Sequence, residues 1–62
     1  MNGYYKLVVA QLKANGYWFL RQGKGAHEIY TNGVRNQPVS FNMPARPMAN
    51  EIMKQAGIAH RF

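Results

Sequence analysis

Two turn signals, Gly23-Lys24-Gly25 and Asn32-Gly33, cut the middle of this 62-residue chain into strand-length pieces. Glycine and asparagine tolerate a positive φ, so each signal marks a place where the backbone reverses. Tyr17–Arg21, ahead of the first signal, is short and aromatic. His27–Thr31, after it, alternates apolar and polar residues. Both read as strands, joined by a turn over Gln22–Ala26. Val34–Gln37 extends the second turn as a loop, and Pro38–Asn42 reads as a third strand. Pro38 suits the first position of that strand, where no ladder donor is required.

A helix is predicted on each side of this unit. Over residues 3–15, Tyr4, Tyr5, Val8, Val9 and Leu12 fall on one wide face, with Lys6 and Lys13 opposite. Asn2 is placed to cap its start and Gly16 to end it. After a connection at Met43–Arg46, marked by Pro44, Pro47 stands in the first turn of a second helix, where its missing N–H costs nothing. That helix is expected to bury Met48, Ala49, Ile52, Met53 and Ala56 as one stripe and to stop at Gly57. The segment Ile58–Phe62 reads as a partly loose tail. The expected fold is therefore α+β, in the order α-β-β-β-α. Three consecutive strands with tight turns form an antiparallel meander, and both helices bury their stripes on one face of it. Residues 1–62 are read as one domain with a small core and a stability of roughly a few kcal/mol.

Eight Lys and Arg stand against only Glu28 and Glu51, a formal charge of +6. Surfaces of this sign take nucleic acid, acidic lipid or acidic protein as partners. No apolar run is long enough to span a bilayer and no leader pattern is present, so a cytoplasmic protein is expected. With no cysteine, no aspartate, two glutamates and two histidines, the chain holds no paired metal-ligand spacing and no Ser-His-Asp set. Neither a metal nor another cofactor is expected. Nor is a phosphate-cradling P-loop or a dinucleotide fingerprint present.

One constellation carries chemistry. His27 follows Arg21-Gln22-Gly23-Lys24-Gly25-Ala26, so a hairpin turn would hold one imidazole beside two cations. Imidazole exchanges a proton near neutral pH. Cations at its side point to an anionic substrate.

The segment Leu12-Lys13-Ala14-Asn15-Gly16-Tyr17, then Arg21, then Gly25-Ala26-His27, and finally Ile52-Met53-Lys54-Gln55-Ala56-Gly57-Ile58 resembles the HicA family of toxins. The Gly-x-His turn and the Lys-Gln-Ala-Gly-Ile ending are the specific pieces, and the match runs in order over most of the chain. The resemblance implies a double-stranded-RNA-binding-like fold. It also implies an mRNA endonuclease that halts translation within a type II toxin–antitoxin system, and a HicB-type antitoxin as partner. The family's functional histidine falls on His27. Ala26 stands where the family usually has serine, Ser40-Phe41-Asn42-Met43 lacks the histidine often found there, and Pro47-Met48 replaces a usual Gly-Thr.

RNA is cleaved without metal when its own 2′-hydroxyl loses a proton, the leaving 5′-oxygen gains one and the phosphate meets positive charge. His27 is the expected acid or base. Lys24 and Arg21 are expected on the phosphate, arginine as a planar clamp and lysine as a point charge. The Gly25 backbone N–H and Arg46, near the start of the last helix, are further phosphate contacts. Tyr30, Lys24 and water are the candidates for the second proton carrier. The alternative function is a non-catalytic module that binds double-stranded RNA. Such modules carry several lysines opening their last helix, whereas this one offers Arg46 and, later, Lys54.

Overall fold

Val8 and Leu12, one helical turn apart, are fully closed to solvent, and so are Ala49 and Met53. These pairs are the centres of two amphipathic helices, and between them they place the core. The computed structural model describes residues 3–62. Helix α1 spans Tyr5–Ala14 and α2 spans Arg46–Gln55; between them run β1 Trp18–Gln22, β2 His27–Thr31 and β3 Asn36–Ser40. The chain thus has the α-β-β-β-α order read from its sequence. The sheet is antiparallel throughout, with strand order β1-β2-β3.

Both helices lie on the same face of that sheet. The Tyr5 hydroxyl of α1 donates to the Glu28 carboxylate of β2. The Gln37 amide of β3 donates to the Gln55 side-chain oxygen of α2 at 2.9 Å. Register puts Glu28 opposite Val39 and Tyr30 opposite Gln37, so these four side chains share the helix-covered face. Tyr30 and Val39 join Val8, Leu12, Ala49 and Met53 in one core. The shortest dimension of the molecule, 15 Å, accommodates the sheet and a single helix layer. The other face of the sheet is therefore open.

Several local details differ from the sequence reading. The predicted Asn2 cap lies outside the described residues; near the start of α1 the Tyr4 N–H donates to the Met43 carbonyl at 3.1 Å. Strand β1 begins one residue later than expected, because Tyr17 turns into the core and donates its hydroxyl to the Ala56 carbonyl at 2.8 Å. Strand β3 begins at Asn36, so Pro38 sits in its middle rather than at its first position. The reason is the phase of the ladder. The Phe41 N–H donates to the Ala26 carbonyl at 2.9 Å, which makes 26/41 a hydrogen-bonded pair. Counting back along the register, 29/38 is a non-bonded pair. The missing N–H of Pro38 therefore points away from the sheet, from an edge strand, and costs no ladder bond.

Helix α2 buries Ala49, Met53 and Ala56, with Ile52 packed at the margin, but Met48 is 41 % exposed. Met48 lies off the central line of that stripe. The tail is not loose. Ile58 is buried, Phe62 packs on Tyr4, and Asn50 Oδ1 accepts the Phe62 N–H at 2.7 Å. Both helices end as predicted, at Gly16 and Gly57 with positive φ. Among the described residues no helix is long and apolar enough to cross a membrane.

Candidate active site

The hairpin that carries His27 is built by two glycines. The His27 N–H donates to the Lys24 carbonyl at 3.2 Å and closes a four-residue turn. Gly25 fills its first central position with φ 59°, a conformation that side chains resist. Before the turn, the Gly23 N–H donates to the His27 carbonyl at 2.9 Å. A Cβ at Gly23 would stand 3.1 Å from that carbonyl oxygen and 3.3 Å from Ile29 Cδ1. A side chain there would press on its neighbours unless they gave by a few tenths of an ångström.

The imidazole is exposed and oriented. Its Nδ1 lies 3.2 Å from the Lys24 carbonyl oxygen. A carbonyl only accepts, so this bond requires Nδ1 to carry the hydrogen. In the neutral ring the lone pair is then on Nε2, the nitrogen directed away from its own turn. The His27 carbonyl is held as well, accepting from Gln22 Nε2 at 2.9 Å. The imidazole and its orienting group thus belong to one short hairpin, and the orienter is a backbone carbonyl rather than a carboxylate.

Glu28, next in the chain, takes no part in holding the ring. It points to the opposite face and accepts from Tyr5. Burial first, and the Glu28 carboxylate second, hold the Tyr5 phenol above its ordinary range; burial likewise raises that of Tyr30. Tyr30 is only 5 % exposed and faces the helices, with the Phe19 ring edge-on against it. It therefore lies on the far side of the sheet from the imidazole and is removed from the candidates for the second proton carrier. Lys24 and water remain.

On the open face, register arranges three rows. Gly23, His27 and Ser40 form the row at the turn end; Arg21, Ile29 and Pro38 the next; Trp18, Thr31 and Asn36 the last. Arg21 reaches this face through a bulge. Strict alternation from Trp18 would send it toward the helices, but the register shifts between Phe19 and Arg21, and Leu20 is the extra residue. The structure thus gathers Arg21, Lys24, Gly25 and His27 around one corner of the sheet. Arg46 is not gathered with them; it opens α2, on the helix side of the sheet.

Two neighbours of His27 were not singled out from the sequence. Ser40 is its cross-strand partner, and 27/40 is a non-bonded pair, the kind that brings side chains closest. Its hydroxyl accepts the Asn42 N–H at 3.1 Å. The adjacent strand thus places a hydroxyl-bearing residue opposite His27, while Ala26 supplies none. Gln22 is the other, through its bond to the His27 carbonyl. Neither relation has a sequence signal, because both need the register. Arg35 is a structural cation: it donates to the Gln55 carbonyl at 2.7 Å at the end of α2.

No family model, no curated protein and no solved structure matches this chain. Among the described residues, no three His, Asp or Glu side chains come together.

Proposed function

We propose that this protein is a metal-independent RNA endonuclease of the HicA toxin type, with His27 as its general acid/base. The observation that carries this reading is the state of the imidazole: exposed, and tied through Nδ1 to the Lys24 carbonyl on a hairpin that also carries Arg21 and Lys24. In the neutral form Nε2 takes the proton of an RNA 2′-hydroxyl. That oxygen then attacks the adjacent phosphorus, and the bond to the 5′-oxygen breaks. The leaving oxygen is protonated from the open side of the turn, where Lys24 and water are the donors. Arg21 and Lys24 offset the charge on the crowded phosphate, which needs no metal ion for this purpose. The products are a 2′,3′-cyclic phosphate and a 5′-hydroxyl.

A single acid–base group contributes roughly 10²–10⁴-fold, so turnover is slow. Slow turnover suffices for a toxin, since one cut ruins a message. Its site of action in this reading is the cytoplasm, where messages are translated. The +6 charge fits capture by an acidic HicB-type antitoxin that covers His27. Expression of the wild-type chain is expected to arrest growth, and purified protein to cut RNA in the presence of a chelator and leave cyclic-phosphate ends. Full toxicity of His27→Ala, or cleavage that stops when divalent metal is removed, contradicts the proposal.

A further inference from the structure

The face of the sheet turned away from the helices carries the one tryptophan of the chain. Trp18 is 51 % exposed although it lies within a strand. Its ring is supported from beneath: it sits opposite Thr31 and against Gly33, where an added Cβ would meet Trp18 Cη2 at 3.5 Å. A large planar group is thus held in place on a surface that nothing in the fold covers.

The same face carries Arg21 and His27. Arg21 stands opposite Ile29, halfway along β2 between Thr31 and His27. The four steps from Thr31 to His27 cover ~13 Å at about 3.3 Å each. An indole, a guanidinium and an imidazole therefore succeed one another in that order across adjacent strands. A short run of unpaired nucleotides offers the matching series: a planar base, a phosphate and a second linkage. We infer that this open face is a platform for single-stranded RNA, with a base stacked on Trp18, a phosphate at Arg21 and the scissile linkage at His27. The inference rests on the endonuclease reading above and adds a substrate class to it.

Charge and shape favour this occupant. The two acidic side chains of the chain are engaged elsewhere, Glu28 with Tyr5 and Glu51 with Gln55, and neither lies on this face. An acidic polypeptide would answer the cations but offers no ring for the indole. A duplex answers the cations too, but its bases are already stacked on one another and show only their edges. Stacking on an aromatic side chain needs an unpaired base, and it tolerates any sequence because every base has a π-face.

The single tryptophan makes the test direct. A short 2′-O-methyl oligonucleotide lacks the attacking hydroxyl and stays intact whether or not the protein is a nuclease. Titrated into the protein, it is expected to quench the Trp18 emission, and its perfectly paired duplex to do so many-fold less. With a labelled oligonucleotide, Trp18→Ala is expected to weaken binding roughly ten-fold, with Trp18→Phe close to wild type and both variants melting like it. Equal quenching by duplex, equal quenching by poly-glutamate, or unchanged affinity in Trp18→Ala overturns the platform. Quenching without any cleavage of unmodified RNA sinks the endonuclease reading while leaving the platform standing; cleavage without quenching does the reverse.

Discussion

Trp18 and Arg21 face the same side of the sheet although an odd number of positions separates them, because the bulge at Leu20 resets the alternation between them. Bulges re-aim side chains in this way, and they are frequent beside active sites. Here the effect is to move a guanidinium from the helix-covered face to the face that presents His27. Without it Arg21 would stand on the face opposite His27.

Substitution of Arg21 therefore tests the site more than the fold. Arg21 is exposed, and its one side-chain hydrogen bond among the described residues, to the Gln22 carbonyl, is long at 3.4 Å. Arg21→Gln is expected to leave the melting temperature unchanged, to weaken RNA binding and to reduce the slope of log K against log salt by about one. Binding measured over a range of salt decides this. An unchanged slope would show that Arg21 meets no phosphate.

The turn itself is tested at Gly25. A side chain there resists the positive φ, so Gly25→Ala is expected to destabilise the protein by roughly 1–2 kcal/mol. For a chain of this size that is a fall of roughly 4–16 °C in melting temperature. Because the same turn presents the carbonyl that holds His27 Nδ1, the cleavage rate is expected to fall even well below the melting point. A variant with wild-type stability and rate would show that the turn does not orient the ring.

Two tyrosines predict an alkaline limit. Tyr5 and Tyr30 are held protonated above the ordinary phenol range, chiefly by burial. A raised value in the fold means that the folded state binds more protons than the unfolded chain above about pH 10. This source of stability is fully present below that pH and is lost as pH rises beyond it. Phenolate absorbance followed together with circular dichroism is expected to show a late step that coincides with unfolding and shrinks in Tyr5→Phe and Tyr30→Phe. A late step of the same size in both variants would assign it to other groups.

Much of the fold was legible in the sequence because its signals are local. Gly16 and Gly57 mark helix ends through their own backbone preference, and Asn32-Gly33 marks its turn in the same way; Asn32 Oδ1 accepts the Val34 and Arg35 N–H groups, at 2.9 and 2.7 Å. The turn that presents His27 was legible for the same reason. What was not legible depends on partners distant in the chain. Nothing in Phe19-Leu20-Arg21 announces a bulge, because a bulge is a relation between two strands. Pro38 looked like a strand start because its acceptability in mid-strand depends on the hydrogen-bonding phase set at Phe41. Tyr30 looked available for proton transfer until its face was known. The tail looked loose because Asn50, the residue that anchors Phe62, lies 12 positions earlier in the chain and nothing local links the two.

The most direct test of the account is the rate at which purified protein cuts a single-stranded RNA in excess chelator, compared between wild type and His27→Ala. Because the imidazole is exposed, the variant is expected to melt like wild type and to bind a non-cleavable RNA with similar affinity, yet to cut roughly 10²–10⁴-fold more slowly. If His27→Ala cuts at the wild-type rate, the imidazole on this hairpin is not the proton carrier and the proposed chemistry is wrong.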